Sequence, residues 1–349
     1  MLKQLIVSIM FTVIPFHIYR VTYRFQLERS DVIINHHPGP CQQLIGKDGG
    51  GSEDIQTLPD GLTFITSGVF QSRKGRILTF NFKDDTLNEL QIDGSVNDFH
   101  PLGMSILSDD KTGTLTLYVV NHGERKSIEV FEHTKNTKVL KHIKTIDTNG
   151  LAMNNLVLMA KDQFYITEYM RYPTNYYTHQ IEMYGMFNLG RVWFYNGKEF
   201  ILVLSGLGFP NGITASNDKR FIYLAEVFKK QVTSFKRRPD NSLELIKTVF
   251  VDTVPDNINV DRDTGDLWIG CQPRLHNILR YALLEGNSQS PSQVIKIKTD
   301  GGNFTEIREV FMDDGRLISG SSVVSYYKGR VLIGTVGSEL VLCDILYHD

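Results

Sequence analysis

A short β-forming phrase returns six times along the chain: Leu62-Thr-Phe-Ile65, Leu117-Tyr-Val-Val120, Phe164-Tyr-Ile-Thr167, Phe221-Ile-Tyr-Leu224, Leu267-Trp-Ile-Gly270 and Val331-Leu-Ile-Gly334. The starts, at positions 62, 117, 164, 221, 267 and 331, lie 46 to 64 residues apart. Short strands recurring at this kind of interval, with no helical pattern between them, are the mark of a propeller. Each phrase is followed by a further run read as a strand: Arg76–Phe80, Ser127–Phe131, Arg191–Tyr195, Gln231–Phe235, Asn277–Tyr281 and Leu340–Asp344. Turn-forming clusters such as Leu58-Pro-Asp-Gly61, Ser216-Asn-Asp-Lys-Arg220 and Asp263-Thr-Gly-Asp266 precede the phrases. The chain is therefore expected to be all-β, with a single six-bladed propeller over residues 26–349.

In a propeller the first strand of each blade lines the central channel, and here it begins about ten residues ahead of the repeated phrase. That position reads Glu53-Asp54-Ile55, Leu102-Gly103-Met104, Asn154-Asn155-Leu156, Asn211-Gly212-Ile213, Asp256-Asn257-Ile258 and Ser321-Ser322-Val323. Four of the six units place carboxylates or carboxamides there, just before an apolar residue. Closing the ring would bring them to one axis. Converging Asp, Glu and Asn oxygens without His or Cys suit a hard cation such as Ca2+, which takes 6 to 8 such ligands. The plainer reading of any single position is a residue that caps a strand or tolerates a turn. Asp261-Arg-Asp263-Thr-Gly265 resembles the start of a calcium loop but has Gln272 where a bidentate Glu belongs, so it reads as a hairpin turn. No G-x-S-x-G elbow, H-E-x-x-H, Walker loop or dinucleotide fingerprint occurs.

A formal net charge of −2 over 349 residues gives no basic footprint for nucleic acid. Residues 1–25 hold a charged start at Lys3, an apolar run from Leu5 to Tyr19 interrupted by Pro15 and His17, and then Arg20 and Arg24. This reads as a secretory signal or a retained hydrophobic anchor, and the run is shorter than the ~20 residues that span a bilayer comfortably. Either way the protein is expected in the secretory pathway, extracellular or membrane-anchored. Three cysteines allow one disulfide and one free thiol. A Cys41–Cys343 bridge would join the two ends of the fold and leave Cys271 as a buried thiol. Asn303-Phe304-Thr305 is a glycosylation sequon.

Several motifs together resemble the serum paraoxonase/arylesterase family. They are Gly51-Ser-Glu-Asp-Ile55 with Leu58-Pro-Asp-Gly61, His100-Pro101-Leu102-Gly103, Val119-Val-Asn-His122, Pro210-Asn-Gly-Ile213 with Ala225-Glu226, Asp256-Asn-Ile258, Thr264-Gly-Asp-Leu-Trp-Ile-Gly-Cys271 and Leu332-Ile-Gly-Thr335. The likeness runs from about Cys41 to Cys343. It implies a propeller with two axial calcium ions, one catalytic and one structural, and a disulfide closing the ring between Cys41 and Cys343. By position, Glu53, Asn154, Asn211, Asp256 and Asn257 would hold the catalytic ion, and Asp54, Asn155 and a backbone carbonyl near Met104 the structural one. The substrates implied are aryl esters and lactones, and the N-terminal segment could touch a lipid or membrane surface.

Three positions depart from the family pattern. Leu102 stands where the family has the histidine assigned as the base, usually paired with the one matched by His122. Leucine accepts no proton, so His122, Glu53 or, as a third candidate two residues away, His100 would have to serve as the base, and activity is expected to be weakened. Asn155 replaces an aspartate, and Gln272 a histidine. Two functions follow: a calcium-dependent ester and lactone hydrolase, or a non-catalytic, membrane-anchored propeller acting as a chaperone or channel accessory.

Overall fold

Six antiparallel sheets stand around one axis. The computed structural model describes residues 32–46, 50–70, 74–109, 112–172, 176–284 and 287–346, together with 15, 16 and 19. Blade 1 is Ile55–Thr57, Leu62–Ser67, Arg76–Asn81 and Thr86–Glu89. Blade 2 is Pro101–Asp109, Thr114–Asn121, Ser127–Thr134 and Val139–Asp147, with Gln91–Asp93 added in parallel at its outer edge. Blade 3 comprises Ala152–Ala160, Gln163–Met170, Gly190–Tyr195 and Phe200–Leu207, and blade 4 comprises Pro210–Ala215, Phe221–Glu226, Gln231–Arg237 and Leu243–Phe250. Blade 5 holds Val254–Val260, Leu267–Gln272, Ser292–Asp300 and Asn303–Asp313. Blade 6 takes Ser321–Tyr327, Arg330–Thr335 and Leu340–Asp344 from the end of the chain, and its outer strand Cys41–Ile45 from the beginning.

The repeated phrase is the second strand of each blade, and its composition follows from its place. Consecutive residues face opposite neighbours. Tyr118 packs toward blade 3 while Leu117 packs toward blade 1; Phe164 meets blade 2 and Tyr165 meets blade 4. Ile222 and Tyr223, Leu267 and Trp268, Val331 and Leu332, and Phe64 and Ile65 divide in the same way. A strand buried on both faces reads as a continuous apolar run rather than an alternating one. Six such clusters, one between each pair of neighbouring blades, form a ring-shaped core, and each fully buried aromatic or aliphatic side chain contributes about 1.5–3 kcal/mol.

The ring closes where the chain ends meet. Cys41 lies opposite Cys343 in blade 6, and the two form a disulfide across 302 residues of sequence. Cys271 is the buried free thiol.

One strand expectation is corrected. Asn277–Tyr281 is not the third strand of blade 5 but part of a helix, Leu275–Leu283, and the strand is Ser292–Asp300. Leu275, Ile278 and Leu279 recur at helical spacing and pack on Val227, Phe228 and Val254. This helix and Tyr176–Gly185, inserted at the same place in blade 3, are α2 and α1 in chain order. Met183 and Met186 at the end of α1 join the cluster under α2. Both helices rise from the end of the ring at which the inner strands begin.

Among the described residues no helix is long and apolar enough to cross a membrane. The expected signal or anchor over 1–25 lies outside the described residues apart from 15, 16 and 19.

Candidate metal centre

The inner strands share an irregularity that places the polar residues. In blade 3, Met153 pairs with Glu168 and Leu156 with Ile166, so Asn154 and Asn155 together face only Thr167. Blade 2 sets Leu102 and Gly103 against Val120, blade 4 sets Asn211 and Gly212 against Ala225, and blade 5 sets Asp256 and Asn257 against Gly270. Ser322 is the extra residue in blade 6. In blade 1, Glu53 and Asp54 bracket Thr66, whose N–H and C=O bond to them both. A bulge bends its strand and re-aims the extra side chain. Repeated around the ring, it re-aims the polar residues of blades 1, 3, 4 and 5, while Leu102 of blade 2 stays in the apolar cluster between blades 2 and 3.

Two glycines make the approach possible. A Cβ on Gly103 would lie 2.6 Å from Asn155 Cα, and one on Gly212 would lie 2.5 Å from the Asp256 carbonyl oxygen and 2.7 Å from Asn257 Cα. Only glycine lets these neighbouring inner strands come so close.

Hydrogen bonds between blades show that the residues converge. Asn257 Nδ2 donates to the Glu53 carbonyl and to Glu53 Oε1, at 3.0 Å each. Asn155 Nδ2 donates to Asn257 Oδ1 at 2.6 Å and to Asp54 Oδ2 at 3.5 Å. Met104, expected to lend a carbonyl, presents its N–H to Asp54 Oδ2 at 2.8 Å. Thr167 Oγ donates to the Asn211 carbonyl at 2.8 Å, and Ser322 Oγ to the Glu53 carbonyl at 2.8 Å.

Against this dense network, four buried oxygens have no donor: Glu53 Oε2, Asn154 Oδ1, Asn211 Oδ1 and Asp256 Oδ1. A buried acceptor left unpaired costs about 1–3 kcal/mol, so four at the matching place in blades 1, 3, 4 and 5 call for a partner. All four are hard oxygens from two carboxylates and two carboxamides, a donor set suited to calcium. Asn257 Oδ1, though bonded to Asn155, keeps a second lone pair. The residues present fit a hard cation. Among the described residues no three His, Cys, Asp or Glu side chains form a cage by themselves, which leaves the carboxamides essential to the set.

Electrostatics agree. Burial pushes the Glu53 carboxyl well above its ordinary range, and the neighbouring Asp54 and Asp256 add to the rise. Burial lifts Asp54 to about 6 and Asp256 to about 7. Without a cation these groups bind protons more tightly folded than unfolded, so the folded state loses stability as pH rises from about 4 to about 7. A cation that binds the ionised forms reverses the trend. In chelator the melting temperature is expected to fall across that interval, and the upward shift given by calcium to widen. Scanning fluorimetry against pH checks this; a calcium shift that shrinks as pH rises would contradict it.

The two histidine positions lie to one side. Leu102 is buried among Val120, Met153 and Leu156 between blades 2 and 3. His122 Nε2 bonds the Met153 carbonyl, which can only accept, so Nε2 carries the proton and Nδ1 is the free acceptor. Burial, with nearby Lys126, pushes this imidazole down to about 3. Its ring stacks on Tyr169, which meets Phe209, which meets Phe228, at centroid distances of 5.8, 4.9 and 5.1 Å. Phe209 has a φ of 57° directly before Pro210-Asn211, a strained backbone for a bulky residue beside a functional site.

Sequence reasoning left the part played by Gln272 open. Its Nε2 donates to Asp256 Oδ2 at 2.7 Å and to the Ser321 carbonyl at 2.8 Å, which fixes the carboxylate with Oδ1 unpaired. The sequence marks it only as a departure from the family's histidine; the structure places it at the end of the second strand of blade 5, opposite Val254.

Fold and site together define a class: a six-bladed β-propeller with an oxygen cluster buried on its axis. The chain belongs to the arylesterase family, whose pattern matches residues 35–345. It is 35% identical over 322 residues to serum paraoxonase/lactonase 3 of Oryctolagus cuniculus, covering 88% of this chain and 89% of that one. It is 34% identical over 316 residues to serum paraoxonase/arylesterase 1 of Homo sapiens, covering 84% and 86%. In fold it is similar to a gluconolactonase of Xanthomonas campestris, with a TM-score of 0.52 at 16% identity over 88% of this chain and 90% of that one. The relatives support a hydrolase of esters and lactones.

Proposed function

We propose that the chain is a calcium-dependent hydrolase of aryl esters and lactones, working slowly for lack of a strong base. The observation that carries this reading is the set of four unpaired oxygens on Glu53, Asn154, Asn211 and Asp256. These residues, with Asn257, would hold the ion. When bound, calcium would supply Lewis acidity and electrostatic stabilisation for a developing oxyanion. Gln272 orients Asp256, while Thr167 and Ser322 pin the backbone at Asn211 and Glu53. The aromatic run His122, Tyr169, Phe209 and Phe228 passes the Asn211 bulge and offers apolar contact to an aryl or acyl group.

The proton is the weak point. Glu53 Oε2 and His122 Nδ1 are the two acceptors, and both are poor: a cation beside Glu53 lowers its proton affinity, and His122 sits at about 3. Leu102 cannot help. That same residue favours the second reading, a non-catalytic membrane-anchored propeller serving as a chaperone or channel accessory. The ring-closing disulfide fits an oxidising compartment, and Asn303 is exposed at the start of its strand, as a glycan acceptor must be. Secretory-pathway localisation follows, with a lipid or membrane surface as partner through the N-terminal segment.

The test is turnover of phenyl acetate and a lactone panel by wild type and Leu102→His. Wild type is expected to turn over measurably, and Leu102→His to raise kcat at least ~10-fold, because a positioned base contributes ~10²–10⁴ and part of that is lost to repacking a buried site. A silent wild type with an active Leu102→His would favour the second reading. Equal turnover by both would show that the proton is handled elsewhere.

A further inference from the structure

The family resemblance implies a second, structural ion held by Asp54, Asn155 and the backbone at Met104. In the structure the Asp54 and Asn155 side chains are held by hydrogen bonds to protein groups, the Met104 N–H among them. Asp54 Oδ1 accepts the Ile55 N–H at 2.8 Å, and Oδ2 accepts the Met104 N–H at 2.8 Å. Asn155 Oδ1 accepts the Leu156 N–H at 2.6 Å, so its Nδ2 must point the other way, toward Asn257 Oδ1 at 2.6 Å and Asp54 Oδ2 at 3.5 Å. The orientation of Asn257 is fixed in turn, since its Nδ2 faces two acceptors on Glu53. Each of the Asp54 and Asn155 oxygens already accepts an N–H and, like Asn257 Oδ1, keeps a lone pair; what sets this place apart is that the Asn155 Nδ2, a donor, occupies the side that faces Asn257 and Asp54.

An aspartate at position 155 would face Asn257 Oδ1 and Asp54 Oδ2 with an oxygen, acceptor against acceptor, a contact that a bound cation or a retained proton would have to resolve. The carboxamide presents two N–H protons instead. Turning it over to ligate a metal would set an NH2 against the Leu156 N–H and break both bonds to Asn257 and Leu156.

We propose that this chain holds one calcium ion, at Glu53, Asn154, Asn211 and Asp256, and that the Asn155 carboxamide replaces the second ion by hydrogen-bonding Asn257 to Asp54. The proposal rests on the reading of the first cluster as a calcium centre. Calcium is counted on the full chain by inductively coupled plasma mass spectrometry after desalting, and by calorimetric titration to millimolar calcium. The expected counts are one ion per chain for wild type, two for Asn155→Asp and none for Asn211→Ala. Two ions in wild type with one in Asn211→Ala would overturn the single-ion inference and leave the calcium centre standing. No ion in wild type would overturn the centre itself, and the inference with it. Should Asn155→Asp fail to fold, the wild type and Asn211→Ala pair still decides.

Discussion

Asn211→Ala is expected to lower calcium affinity at least ~100-fold and ester and lactone turnover ~10²- to 10³-fold, while leaving the metal-free protein as stable as wild type or more so. The two halves of this expectation come from the same atom. Asn211 Oδ1 is buried and has no donor, so in the metal-free protein it is a penalty rather than a contact. Removing it relieves the metal-free state of an unpaired acceptor, which offsets the loss of the Asn211 hydrogen bond to the Asp256 carboxyl, and takes a ligand from the metal-bound state. The fold around it is secured independently: the Asn211 carbonyl is held by Thr167 Oγ, and Gly212 keeps the close approach to blade 5. Calorimetry, turnover and melting curves with and without calcium separate the effects. A variant that melts early in chelator as well as in calcium would show that Asn211 is a packing residue and not a ligand.

Cys343→Ser is expected to destabilise the protein by about 5 kcal/mol, near the upper end for a disulfide, because the bridge closes a loop of 302 residues. The bond also has a specific mechanical part. Blade 6 is assembled from both chain ends, and the pairing of Cys41–Ile45 with Leu340–Asp344 is what shuts the ring. Without the bridge, that strand pair must hold by hydrogen bonds and the cluster around Val331, Ile333 and Val341. Cys271 is buried in blade 5 and offers no substitute thiol. A fall in melting temperature of roughly 5–15 °C is expected, with turnover per folded molecule unchanged, since the proposed ligands come from blades 1, 3, 4 and 5. A melting temperature within a degree of wild type would show that the strand pairing closes the ring unaided.

The fold was legible because of how a propeller buries its strands. Second strands are covered on both faces, so pairs such as Phe164 and Tyr165 leave a continuous apolar signature that survives in every blade. The inner-strand position was legible because a bulge recurs there, and its polar pairs stand out against the apolar residue that follows. Helix α2 was misread because Asn277-Ile-Leu-Arg-Tyr281 is too short a run to separate strand from helix by periodicity; the packing of Leu275 with Ile278 and Leu279 settles it. The hydrogen-bond polarity at Asn155 was not legible at all. Sequence gives the carboxamide but not which end faces the axis, and that orientation depends on the Leu156 N–H and on Asn257 from another blade. Gln272 was opaque for the same reason, its partners Asp256 and Ser321 being 16 and 49 residues away.

The most direct measurement is hydrolysis of phenyl acetate and a lactone panel by the full chain in calcium, in chelator, and after calcium is restored. Turnover in calcium, a loss of at least ~100-fold in chelator and recovery on restoration are the predicted results. Turnover that persists undiminished in chelator would contradict a catalytic calcium on the propeller axis, and so would a calcium-loaded protein that hydrolyses none of these substrates.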